Sequence, residues 1–428
     1  MNQHLRLSDV RGMSRLAVQA TLGVNDLVEA MHHTILALPS PLAAANGTRT
    51  AVPANRTHAT VYHVLQKSSA AVYGAIRGTT RLVGGGLDAA LRKLQPEIAQ
   101  LPSSREREAL LAIVNGVLGD HLSAHDNPLC VSMAFRQNGQ PLALNTPALA
   151  QAYPQAQGEL LLFLHGHCMN DLQWARDDAA PVLPLANNPV HSTLWLHYNT
   201  GRHISHNGRE LAEQLEQLVL AWPVPVQRLR IVGFSMGGLL ARSAMHYATE
   251  AGHSWPAKLA QLFFVGTPHH GSMVERAGNL VDRVLEASPY SRALARLGKI
   301  RSAGTTDLRH GNLIDEDWAP HDRFAVPGDT RTPAPLPPSV RCYAIAAVAQ
   351  PVPGAMRSQW VGDGLVPLDS ALGRHANPAF DLALPATHTR TFYRTTHLGL
   401  LQELAVFAQI AQWMAERPSQ GNSNDVPR

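Results

Sequence analysis

Residues Arg230–Ile231–Val232–Gly233–Phe234–Ser235–Met236–Gly237–Gly238–Leu239–Leu240–Ala241–Arg242 decide how this chain is read. The first part, Leu229–Phe234, is a short apolar run of strand type. The last part, Gly237–Ala248, has helical spacing. Between them stands G-x-S-x-G. Alone the pattern is a weak signal, but a strand before it and a helix after it are the setting it requires. A serine on so sharp a turn needs small neighbours two residues to either side, and Gly233 and Gly237 supply them. The Ser235 hydroxyl then projects beyond the end of a sheet, with the Met236 N–H at the N-terminus of the following helix. The plainer reading is a strand-to-helix turn whose glycines serve packing only.

Working outward, the same texture recurs. Glu159–His165 and Ser192–Tyr198 are continuous apolar runs, as expected of strands buried on both faces. Glu210–Trp222 is an amphipathic helix. Leu262–Gly266, Arg341–Val348 and Arg390–Arg394 are further strands, and His397–Trp413 is a last helix. Strand–helix alternation of this kind predicts an α/β fold, a mostly parallel sheet with helices on both faces. About 75 residues separate Gly266 from Arg341, far more than the few tens a crossover needs. The excess, with helical spacing at Val274, Ala277, Val281, Val284 and Leu285 and a proline-rich end, reads as an inserted cap or lid at 272–338. The polar tail 418–428 reads as disordered.

Residues 1–125 differ. The apolar positions Val24, Leu27, Val28, Met31 and Ile35 describe a helix ended by Pro39 and Pro41. A second helix runs from about Ala59 to Val83, where Gly84–Gly85–Gly86 should break or hinge it. A third starts at Ser103, with Glu106 completing a capping box and Leu110, Ile113, Val114, Val117 and Leu118 on its apolar side. Gly74 and Gly78 have the spacing of close helix packing. These residues form an N-terminal helical region, leaving 126–417 for the catalytic domain.

Charge divides the same way. The formal net charge is +4, and residues 1–125 hold 12 Lys and Arg against 8 Asp and Glu, while the remainder is balanced. Nothing in so mild a surplus calls for nucleic acid. Peripheral contact of 1–125 with an anionic lipid surface is the alternative to a solvated helical region. Three scattered cysteines, Cys130, Cys168 and Cys342, form no C-x-x-C pair and suggest neither structural zinc nor an oxidising compartment. With neither a signal-type leader nor a long uncharged apolar window, the expected location is cytoplasmic. No cofactor is expected.

Three further stretches lie where a serine at position 235 would need partners. His165–Gly166–His167 follows the first long strand, and the His167 N–H is placed to donate beside that of Met236, with His165 read as a residue that orders the loop. Gly362–Asp363–Gly364 follows the strand at 341–348, where Asp363 is either an acid partner or the head of an Asx-turn, with Asp369 as second choice. Among 22 histidines, His397 stands just beyond the last strand, and His388 precedes it. His203, His206, His269 and His270 lack acid partners at ligand spacing, so no metal site is expected, and the last two are placed to shape the pocket rim. Asn170 and Asp171 can order the loop after His167 by turn hydrogen bonds.

The order Ser235, Asp363, His397 is that of the α/β-hydrolases. Residues 159–415 resemble an α/β-hydrolase of the bacterial lipase and esterase type through FLHGHCMND (163–171), VGFSMGGLLAR (232–242), FVGTPHHGS (264–272), GDGLVPLDSAL (362–372) and THLGLL (396–401). The run G-T-P-H-H-G-S is similar to that of the GPI inositol-deacylase-like and lecithin–cholesterol acyltransferase-like proteins. Phe234 departs from the histidine that many relatives carry before the serine. The resemblance implies a serine hydrolase acting on ester or lipid-like small molecules, with Ser235, Asp363 and His397 as triad and the N–H groups of His167 and Met236 as oxyanion hole. An acyltransferase or a thioesterase would use the same set. In a reading of another class, the N-terminal helices act as a lipid-surface or partner-binding module.

Overall fold

The protein is described by a computed structural model, which covers residues 6–36, 73–74, 76–89, 103–175, 179–272, 301–320, 322, 328–350 and 362–416. It divides into two compact units, Met1–Cys130 with Ala277–Ser302, and Val131–Arg276 with Ala303–Arg428. Residues 273–300, holding the helical pattern read as a lid, lie outside the described residues, as do the start of the second helix at 59–72 and the tail 418–428. Among the described residues no helix is long and apolar enough to cross a membrane.

In the first unit, α1 (Leu7–Leu36) is accompanied by a helical stretch at 76–89 and by α2 (Arg105–Ala124). Arg11 pairs with Asp88 at 2.7 Å, Arg77 with Glu29 at 2.5 Å and Arg107 with Asp9 at 2.6 Å. Several expectations need correction here. The helix does not break at Gly84–Gly86 but continues to residue 89, and Gly84 lies so close to Val18 that a Cβ there would sit 2.5 Å from it. Among the described residues nothing lies within 4 Å of a Cβ built at Gly74 or Gly78. Helix α2 is capped by Ser104, whose Oγ accepts from Arg107 N, one residue later than expected. Its apolar side is also misread: Leu110, Ile113 and Val117 are exposed, while Ala112, Asn115, Gly116 and Gly119 are buried. Small residues allow close backbone approach, and Asn115 Nδ2 donates to Leu129 O at 2.8 Å.

The second unit is built on an eight-stranded sheet: β1 (Ala134–Gln137), β2 (Gln140–Pro141), β3 (Glu159–Leu164), β4 (Ser192–His197), β5 (Arg228–Phe234), β6 (Leu259–Val265), β7 (Arg341–Val348) and β8 (Thr389–Tyr393), in the order β2-β1-β4-β3-β5-β6-β7-β8. Strands β3 to β8 run parallel to one another, and β1 is antiparallel to β4. The unexpected hairpin β1–β2 turns at Asn138–Gly139, both with positive φ, a turn type suited to Asn-Gly.

Both faces of the sheet are covered, which explains the unbroken apolar runs. Leu160, Leu162 and Leu164 of β3 face one core with α3 (Ile204–Ala221) and α4 (Met236–Glu250). Leu161 and Phe163 face the other, with Trp174 and with Phe407 and Trp413 of α6 (Leu404–Ala415). Between α4 and α6 comes the short α5 (Ala303–Asp307). Helices α3 and α4 approach so closely that a Cβ at Gly208 would lie 2.0 Å from Ser243 Oγ, which is itself fixed by a hydrogen bond to Leu313 O. Gly208→Ala should therefore cost about 1–3 kcal/mol, as overpacking does, read as a lower denaturant midpoint. Residues 303–320 belong to this unit, with Ala303, Leu313 and Ile314 buried.

The chain runs from β3 to β4 on one side and returns to β5 on the other. The sheet's switch point therefore lies beyond the C-terminal ends of β3 and β5, where open α/β sheets bind ligands.

Candidate active site

Ser235 sits at that switch point, between the end of β5 and the start of α4. Its backbone has φ 52° and ψ −122°, a strained conformation for a residue with a Cβ. Neighbouring structure holds it there: Ser235 N donates to Val265 O at 2.8 Å, and Gly238 N to Ser235 O at 3.1 Å. A Cβ at Gly233 would fall 2.6 Å from Gly238 Cα, and one at Gly237 2.3 Å from Leu164 O. Close backbone approach thus requires both glycines. Met236, the first residue of α4, is fully buried.

The loop after β3 passes against this turn, since a Cβ at Gly166 would lie 3.1 Å from Ser235 Cβ. His165 orders the loop from below. It is fully buried, its Nδ1 donates to Gly166 O at 2.9 Å, its ring stacks on Tyr198, and the Tyr198 hydroxyl donates to His165 O. The next residue but one, His167, opens onto a cavity, and its Nε2 lies 3.1 Å from Thr305 Oγ1. Asn170 N donates to the Gln173 side chain, and Asp171 pairs with Arg136 at 3.2 Å.

At the far side, His397 follows β8, and its Nδ1 lies 2.7 Å from Asp363 Oδ2. The other oxygen of Asp363 accepts from Leu365 N at 2.9 Å and Val366 N at 2.8 Å. The two readings of Asp363 are therefore not alternatives: Oδ1 closes the Asx-type turn and Oδ2 holds the histidine. Asp363 is 2% exposed. Asp369, in contrast, is a surface residue near Arg374. His388 precedes β8 and bonds Cys342 O, so the parallel sheet places it at the opposite end from Ser235.

Ser235, His397 and His167 line one cavity of about 290 Å3. The rest of its wall is largely apolar, from Met169, Phe234, Leu308, Leu365, Val366 and Leu398. Sequence reading missed Leu308 and Thr305, which come from a segment with no repeating pattern to read.

The remaining histidines have other partners. His203 bonds Asp307, and its ring stacks on Trp318. His269 is fully buried against Arg242, whose Nη1 is 3.2 Å from its Nδ1, and Arg331 donates to His269 O. His270 opens onto a second cavity, so its ring is not part of the rim around Ser235. Pro268 and Ser272 of the same run line that rim instead.

Burial pushes His165 down to about 3, His167 to about 4 and His270 to about 3, the last helped by Arg331. In an unfolded chain each would take up a proton near pH 6.5. Below that pH the unfolded state binds protons the folded state refuses. Stability present above pH 6.5 is thus lost as the pH falls toward 4, by about 1.4 kcal/mol per pH unit for each histidine. The denaturant midpoint should fall clearly between pH 7.5 and pH 5.0; an unchanged midpoint would contradict the neutral, buried state of these rings.

Residues 155–340 match the PGAP1-like alpha/beta domain family. Comparison with curated proteins gives no significant match. Among solved structures, the mature form of a Bacillus licheniformis lipase is 16% identical, over 66% of this chain and 97% of that one, with a TM-score of 0.39. Staphylococcus hyicus lipase is 12% identical over 60% and 95% of the two chains, with a TM-score of 0.37. A Pyrococcus furiosus esterase is 12% identical over 61% and 82%, with a TM-score of 0.33.

Proposed function

We propose that this chain, an α/β-hydrolase by its sheet order and its PGAP1-like alpha/beta domain, is a carboxylic ester hydrolase working through an acyl-enzyme on Ser235. The observation that carries the reading is the 2.7 Å Asp363–His397 pair, which presents its imidazole to the same cavity that the strained Ser235 lines.

In this reading His397 Nε2 takes the Ser235 proton as Oγ attacks the ester carbon. Asp363 keeps the other ring nitrogen protonated and stabilises the imidazolium that forms. The N–H groups of His167 and Met236 receive the negative oxygen of the tetrahedral intermediate. His397 returns the proton to the departing alkoxide, leaving the acyl group on Oγ. A water, deprotonated by the same histidine, then releases the acid and restores Ser235. The Ser235–His397 hydrogen bond is not formed in this conformation, and such bonds tighten as substrate enters.

The largely apolar wall of the cavity suits the acyl part of an ester. The test is a panel of p-nitrophenyl esters together with a phosphonate ester probe. The probe should modify Ser235, and esters of the panel should turn over. Absence of both labelling and turnover would overturn the hydrolase reading.

A further inference from the structure

The pair His203–Asp307 is not used by the chemistry just described, yet it is the most heavily bonded carboxylate–imidazole pair outside it. Asp307 ends α5 and is 1% exposed. His203 Nδ1 lies 3.1 Å from both its oxygens, Ile204 N donates to Oδ2 at 2.8 Å, and Asn312 Nδ2 to Oδ1 at 3.2 Å. The His203 ring lies flat on Trp318, with centroids 3.6 Å apart and planes 8° apart, and Trp318 Nε1 donates to Ser205 Oγ. A buried carboxylate held this way adds little net stability over an apolar residue, while it fixes position sharply.

What it fixes is the short helix α5, which is tied to the same loop again where Gly304 N donates to Gly201 O at 3.0 Å, just ahead of His203. Two residues before Asp307, Thr305 reaches the cavity and meets His167 Nε2 at 3.1 Å. From the same β4 loop, Thr200 Oγ1 accepts from Cys168 N at 3.1 Å. The loop after β3 is thus tied at two successive residues. It needs the ties, because Cys168 has φ 57°, a left-handed backbone that surroundings must hold for any residue but glycine. The direction of the peptide groups on either side of Cys168 depends on that turn.

We infer that His203–Asp307 is a positioning pair that, through Thr305, sets the His167 loop in the geometry needed to bind the reaction's oxyanion. The inference rests on the ester-hydrolase reading. Burial keeps the His167 ring neutral, so its bond to Thr305 is that of an uncharged pair. Neither Thr305 nor Asp307 takes or gives a proton in the reaction. Their contribution lies in where the loop stands when charge develops.

The test is a double-mutant cycle on the full chain, with p-nitrophenyl octanoate as substrate. Thr305→Val and Asp307→Asn should each lower kcat roughly 10- to 100-fold, with KM changed less than about threefold, because an oxyanion donor acts in the transition state. The double variant should be no slower than the slower single one, since both act on one loop. Thr305→Ser, which keeps the hydroxyl, should restore most of the rate. Thermal melting reports folding; if Asp307→Asn does not fold, His203→Gln takes its place in the cycle. The inference fails if Thr305→Val leaves kcat unchanged, if the two effects multiply, or if the loss lies in KM alone. Those results with Ser235 still labelled by a phosphonate would overturn the positioning role alone. A wild-type chain that neither labels nor turns over would overturn the hydrolase reading and this inference with it.

Discussion

Ser235→Ala should lower kcat by a factor on the order of 10³ or more while leaving the protein folded. The serine is strained but its backbone is held by Val265 O and by Gly238 N, contacts that alanine keeps. The loss therefore falls on chemistry and not on stability. Residual turnover would reflect binding and the remaining N–H donors alone. A phosphonate ester that labels the wild type should leave the variant unmodified. Labelling that persists in the variant would assign the nucleophile to another residue.

Asp363→Asn should be of similar or greater severity, on the order of 10⁴ in kcat, again with folding intact. The division of labour between the two oxygens makes this a clean experiment. An asparagine carbonyl can still accept from Leu365 N and Val366 N, so the turn survives. Its amide then faces His397 Nδ1 with donors, which favours the tautomer whose Nε2 carries a proton and cannot accept one from serine. Asp369→Asn is the control. That residue stands at the surface beside Arg374, and its change should leave kcat within about twofold. If Asp369→Asn is the harmful change and Asp363→Asn is not, the acid lies elsewhere.

How much of this could be read from the chain alone varies by region, for physical reasons. The parallel strands were legible because burial on both faces leaves unbroken apolar runs, and the turn at Ser235 because its glycines answer a steric need. The sequence positions of Asp363 and His397 followed from strand ends. That one carboxylate serves both turn and histidine could not be read, because each oxygen's partner is a matter of geometry. In helix α2 the large apolar residues do not mark the inner face; Gly116, Gly119 and Asn115 make that face, so apolar spacing points the helix the wrong way. The β1–β2 hairpin carried its Asn138–Gly139 signal openly, but its strands are too short to show a period. Thr305 and Asp307 had no signal at all. They matter through contacts with residues more than a hundred positions away in the chain.

The sheet order has a consequence for the chain during its synthesis. The serine turn is braced by β3, β5 and β6, the last of which ends at residue 265. The imidazole arrives only at residue 397, after β8 at the sheet's edge. At usual ribosomal speeds this is a delay on the order of ten seconds. In that interval the nascent polypeptide carries the serine with no base to activate it, and it should be silent toward the esters around it. Any product of premature termination before β8 would share that silence, so activity marks a message translated past its last strand.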